Sequence, residues 1–117
     1  MQGQTFQVHV EPKCVSGAEP YYLHLSLMEH DESNANDVED GKLCEKGCTL
    51  RTNDNDDAGP RMEFYLKASF KCAIWDQVVE HCFHFDYTYQ NVDYTSIVEL
   101  HLSQSHKSGD WWKSDNV

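Results

Sequence analysis

Two acidic runs are the segments of this sequence best equipped for chemistry, Asp37-Val38-Glu39-Asp40-Gly41 and Asn53-Asp54-Asn55-Asp56-Asp57. Calcium takes about six to eight oxygen ligands, which clustered Asp, Asn and backbone carbonyls supply. Asp54, Asp56 and Asp57 are the expected calcium ligands, with a plain solvated acidic loop as the competing reading. Neither run completes an EF-hand, because no bidentate Glu follows at the required spacing. Histidines are numerous (His9, His24, His30, His81, His84, His101 and His106). Cys82 and His84 fall on one face of an alternating segment, a start on a zinc site. No Cys-x-x-Cys or His-x-x-x-His spacing recurs, and Cys44-x-x-x-Cys48 stands alone. His9, His24, His84 and His101 sit at polar-face positions, where histidine needs no further explanation.

The sequence holds no nucleophile elbow, no phosphate-cradling glycine loop and no metalloprotease helix. The expectation is a domain that binds rather than catalyses. Adjacent Trp111 and Trp112, next to Lys113, are suited to anchor a contact, since tryptophan joins a large apolar body to one polar tip. One of the two is equally suited to plug the open end of a β-sandwich.

The formal charge is −11, from nine basic and twenty acidic residues. So acidic a surface repels a nucleic-acid backbone and favours basic protein partners, cations or solubility. Ten acids against three bases lie between Glu29 and Pro60. Asp37, Glu39 and Asp40 are the residues of that stretch expected to steer a basic partner.

Five cysteines, Cys14, Cys44, Cys48, Cys72 and Cys82, are many for 117 residues. They point to an oxidising compartment, two disulfides and one cysteine over, hence to a secreted protein. Cys44–Cys48 is the expected local bridge, with Cys14–Cys72 across the sandwich. A Cys72–Cys82 bridge is disfavoured, since Cys72 has core-facing parity and Cys82 the opposite one. The odd cysteine is left to pair with another chain in a disulfide-linked dimer, to stay buried, or to react.

The elements that must position these residues show in the apolar pattern. Five segments alternate with period two. Their apolar faces are Phe6, Val8 and Val10; Tyr21, Leu23, Leu25 and Leu27; Met62 through Ile74 on even positions; Phe83, Phe85, Tyr87 and Tyr89; and Val98, Leu100 and Leu102. No window carries a helical stripe, and no run of about 18 apolar residues is present to span a bilayer as a helix. The expected fold is all-β, one antiparallel β-sandwich domain over residues 1–117, with residues 29–60 a long acidic loop between strands two and three. Thr49-Leu50-Arg51 is a candidate short edge strand inside it.

Two passages resemble known β-sandwich families. Glu19-Pro20-Tyr21-Tyr22, leading into a strand, resembles the Asp-Pro-Tyr passage of C2 domains. Ile97 to Val117, with Leu100, Leu102, Lys107-Ser108-Gly109 and Trp112, resembles the closing strands of PLAT domains. The resemblance covers about a third of the chain, and it implies a sandwich that binds calcium and a lipid surface. Where C2 domains carry calcium-ligating aspartates, this chain has Lys13-Cys14 and Ser103-Gln104-Ser105. Two functions are thus expected: a secreted domain recognising a basic protein partner, or a PLAT- or C2-like module binding a membrane surface through calcium.

Overall fold

A computed structural model describes residues 5–30, 37–44, 46–53, 64–85, 94–105 and 115–116. Among the described residues there are eight strands: β1 (Phe6–Cys14), β2 (Tyr22–Glu29), β3 (Asp37–Leu43), β4 (Cys48–Thr52), β5 (Phe64–Lys71), β6 (Val79–His84), β7 (Tyr94–Leu102) and β8 (Asp115–Asn116). They form a three-stranded sheet, β4-β1-β7, packed on a five-stranded sheet, β3-β2-β5-β6-β8. The chain is an all-β sandwich rich in antiparallel pairs. Two pairs are parallel, β1 with β7 over nine residues and β6 with the short β8.

The alternation predicts the core. Phe6, Val8, Val10, Leu50, Val98, Leu100 and Leu102 project from the smaller sheet onto Leu23, Leu25, Leu27, Phe64, Leu66, Ala68, Phe70, Phe83 and Phe85 of the larger one. Phe6 meets Phe64 with ring centroids 4.4 Å apart and Phe85 edge-on at 5.3 Å, joining the sheets. Each such buried side chain contributes on the order of 1.5–3 kcal/mol. Pro12 lies in β1, the central strand of the smaller sheet. Pairing with β4 stops at Val10, so at Pro12 the strand has a neighbour only in β7, opposite Leu100. On its other side it stands as an edge, the setting in which proline is tolerated in a sheet.

The acidic stretch is not a single loop. Residues 37–43 and 48–52 of it are β3 and β4. β3 escapes the period-two reading because it is an edge strand, held by its backbone ladder to β2 rather than by an apolar face. Its charges also suit an edge, since they discourage pairing with other chains. The register slips between Leu27 and Met28, where Leu27 faces Asp40 and Met28 faces Val38. Glu39 is thereby an extra, bulged residue. β4 covers the expected Thr49–Arg51 strand, with Leu50 in the core.

Two residues expected in the core lie outside it. Tyr21 precedes the start of β2 and Ile74 follows the end of β5, so both leave the pleat and are exposed. Cys82 has the parity expected of it, facing away from the main core, yet it is buried. With Met28 and Tyr65 it forms a second small apolar cluster on the outer side of the larger sheet. Met62, Tyr87 and Tyr89 lie outside the described residues.

Candidate functional site

The topology gathers four chain segments at one end of the sandwich. Cys14 of β1 pairs with Leu102 of β7, Tyr22 of β2 with Lys71 of β5, Phe70 of β5 with Val79 of β6, and His24 of β2 with Leu43 of β3. The turns at 15–21 and 72–78, the link between β3 and β4, and residues 103–105 therefore leave from the same end.

Both disulfides sit there. Cys14–Cys72 spans 58 residues with Cα atoms 6.1 Å apart and ties the end of β1 to the end of β5. Closing a loop of that size stabilises by about 4 kcal/mol in the chain-entropy account. Cys44–Cys48 closes the turn between β3 and β4, and the Cys44 N–H donates to the Leu23 carbonyl at 2.8 Å. Both pairings are those expected from the sequence.

Hydrogen bonds fix the turns further. Val15 N–H donates to Leu102 O at 2.8 Å and Tyr21 N–H to Lys71 O at 3.0 Å. Gly17, with φ of 96°, takes the left-handed conformation that glycine adopts without a steric penalty. In the 72–78 turn the Asp76 carboxylate accepts from Ala73 N–H at 2.9 Å, while Asp76 N–H donates to Ala73 O. Gln104 accepts from Cys72 N–H at 3.0 Å and donates to the Gln77 carbonyl, so the segment after β7 also braces this turn.

On this braced frame the apolar side chains point outward. Trp75 is 83% exposed, with Ile74 and Val78 exposed on the same turn and Val15, Tyr21 and Leu43 on its neighbours. Six of the eight large hydrophobic residues exposed among the described residues lie at this end. Surface apolar residues scattered singly need no explanation, but a concentration on one rigid end does.

The charge at this end differs from that of the whole chain. Lys13, Lys46 and Lys71 stand among the apolar residues. The described acids nearby are Glu19 and Asp76, the latter already used in its turn. Lys71 Nζ lies 5.3 Å from the centroid of the Tyr21 ring and donates to Ile74 O at 3.3 Å. Beside Tyr21 opens a cleft of about 490 Å³ lined by Tyr21, Tyr22, Leu23, Leu43, Lys46 and Gly47.

No protein-family model matches the chain, and no curated protein matches it. What the end does must be read from its own chemistry.

The residues singled out in the sequence fall elsewhere. Glu39 Oε1 accepts from Thr52 Oγ1 at 3.1 Å. Asp40 Oδ2 accepts from Arg51 N–H at 2.9 Å and lies 3.8 Å from Lys42 Nζ, which in turn donates to Thr49 O at 2.6 Å. β3 side chains thus satisfy the open backbone edge of β4 and lace the two sheets together along one side. Asp37 is the first residue of β3. Asp54, Asp56, Asp57, Trp111 and Trp112 lie outside the described residues. Among the described residues no group of three or more His, Cys, Asp or Glu side chains is placed to hold a metal. His84 is half-buried on β6, and the histidines of the smaller sheet contact local partners, His9 with Thr49 at 3.0 Å and His101 with Glu99 at 2.9 Å.

Trp75 and Val78 do not stand out in the sequence because Cys72-Ala73-Ile74 extends the even-position stripe of β5. The reading then carries Ile74 into the core and passes over its neighbour. Asp76, whose carboxylate caps the turn at Ala73 N–H, is the signal the sequence offers, since Asp favours such turns.

Proposed function

We propose that the chain is a non-catalytic, disulfide-stapled domain of an oxidising, extracellular compartment that settles on a lipid membrane surface through its stapled end. The observation that carries this reading is Trp75, 83% exposed on a braced turn between Ile74 and Val78. Tryptophan and tyrosine favour the membrane–water boundary because an apolar ring and a polar tip are satisfied there together. Lysines can lay their methylene stems on an apolar surface and hold the ammonium at headgroup level. The disulfides and hydrogen bonds fix the turns in advance, so little ordering entropy is lost on docking. Burying a few such side chains at about 1.5–3 kcal/mol each gives a reversible association rather than a permanent anchor.

A basic protein partner steered by Asp37, Glu39 and Asp40 has less in its favour, since Glu39 and Asp40 are engaged in holding β3 to β4. The charged side chains at the stapled end are mainly lysines, so docking should not need calcium as a bridge.

Co-sedimentation with phosphatidylcholine vesicles tests the reading. The protein should pellet with vesicles equally in calcium and in chelator, and Trp75→Ala should remain in the supernatant. Wild-type protein that stays in solution under both conditions would overturn it. Binding abolished by chelator would return the ion-bridging role to acids such as Asp54, Asp56 and Asp57.

A further inference from the structure

The cleft beside the apolar turn has a chemistry of its own. We propose that it receives the phosphate of an anionic phospholipid headgroup and makes membrane docking selective for anionic lipid. This inference rests on the membrane reading of the stapled end and adds the class of lipid.

Four observations support it. The cleft adjoins the apolar surface through Tyr21, which lines it and is itself exposed. A headgroup there would be continuous with acyl chains under Trp75 and Ile74. Its volume of about 490 Å³ lies within the range of sites for small ligands. Lys46 projects from the turn that Cys44–Cys48 closes. Among the described residues its ammonium makes no hydrogen bond or ion pair, which leaves it open to a ligand. A second cation, Lys71, lies over the ring of Tyr21, which lines the cleft together with Lys46 and Tyr22.

Charge decides between an anionic and a zwitterionic headgroup. The chain carries −11 overall and is repelled from anionic surfaces as a whole. Screening at physiological salt reaches about 8 Å. Glu29, at the far end of β2, is seven residues from Tyr22, roughly 24 Å by strand rise. Glu19, Asp76 and, beside Lys46 in the sequence, Glu45 oppose the lysines at the contact itself. Acids at the far end lie beyond screening reach and do not cancel Lys46 and Lys71. They do orient the molecule, turning the lysine end toward a negative surface.

The test uses the intact protein and vesicles of phosphatidylcholine alone or in equal mixture with phosphatidylglycerol. Wild-type protein should partition at least about tenfold more strongly onto the mixed vesicles, since each lysine near an anionic surface is worth about fivefold. Lys46→Ala should lose most of that preference while keeping its binding to phosphatidylcholine, and Lys71→Ala should lose part of it. Glycerol 3-phosphate at millimolar concentration should not displace the protein. Equal binding of wild type to both vesicles would overturn the anionic-headgroup inference and leave the membrane reading intact. Binding to neither would overturn the membrane reading itself. Undiminished preference in Lys46→Ala would remove the cleft as its source, and displacement by glycerol 3-phosphate would make a soluble phosphate the ligand. Retained thermal midpoints of both variants show that folding is not the cause.

Discussion

Lys71 holds its ammonium 5.3 Å from the centroid of the Tyr21 ring, across the end of the β2–β5 ladder. The pair joins three features of the stapled end. Tyr21 N–H donates to the Lys71 carbonyl, so the same two residues are tied through their backbones. Lys71 Nζ also donates to Ile74 O, which braces the turn carrying Trp75. A cation over a partly exposed ring is worth about 0.5–1 kcal/mol. Its larger consequence is positional, because a positive charge is kept beside the cleft rather than released to solvent.

Trp75→Ala should separate binding from stability. The side chain is almost wholly exposed, so its loss should shift unfolding free energy by no more than about 0.5 kcal/mol. Membrane partitioning, read by vesicle sedimentation, should fall at least about tenfold, the equivalent of 1.4 kcal/mol. A Trp75→Ala protein that unfolds well below wild type in urea would mean that the ring packs on the fold and is not a contact residue.

Reduction should cost more than any surface change. Cys14–Cys72 closes 58 residues and fastens the turns of both sheets. Cys14→Ser/Cys72→Ser should lose about 2–5 kcal/mol in denaturant unfolding. Cys44–Cys48 closes only a four-residue separation, so Cys44→Ser/Cys48→Ser should lose distinctly less. Equal losses from the two pairs would contradict the loop-length argument.

How far the sequence discloses the fold depends on how each element is held. Strands that bury one face announce it, which is why β1, β2, β5, β6 and β7 are legible from Phe6 to Leu102. β3 is held by backbone pairing and by polar side chains reaching to β4, so its sequence, Asp-Val-Glu-Asp-Gly-Lys-Leu, looks like a loop. Short spacing points to Cys44–Cys48, whereas parity only disfavours Cys72–Cys82 and leaves Cys14–Cys72 as one pairing among those still open. The parallel pairing of β1 with β7 does not follow, because period-two alternation states which face is buried and not which neighbour lies alongside. The candidate site is less legible still. Ile74 has the parity of a core residue, and only the end of β5 at Lys71 turns it and Trp75 outward.

Asp40→Asn should distinguish an edge clasp from a partner site. The carboxylate accepts from Arg51 N–H and lies near Lys42. A charge-assisted bond of this kind is worth about 1.5–3 kcal/mol, and the partly exposed Lys42 pair adds little. The amide retains an acceptor oxygen, so the expected loss is about 1 kcal/mol in urea unfolding, with vesicle binding unchanged. Loss of binding without loss of stability would restore Asp40 as a contact residue.

Cys82 offers the last prediction. It is 6% exposed, packed with Met28 and Tyr65 on the outer side of the larger sheet and in register with Lys67. Thiol chemistry requires access to the sulfur, which burial in this cluster restricts. In the native protein a disulfide-exchange reagent should therefore label Cys82 slowly. The rate should be limited by local opening of β6 and should rise sharply at urea concentrations that begin to unfold the chain. An intermolecular bridge would need the same opening, so non-reducing gels of freshly purified protein should show monomer. A prompt native reaction, or a dimer band abolished by Cys82→Ser, would place this sulfur at the surface and make the Met28–Tyr65 cluster an interface between two chains.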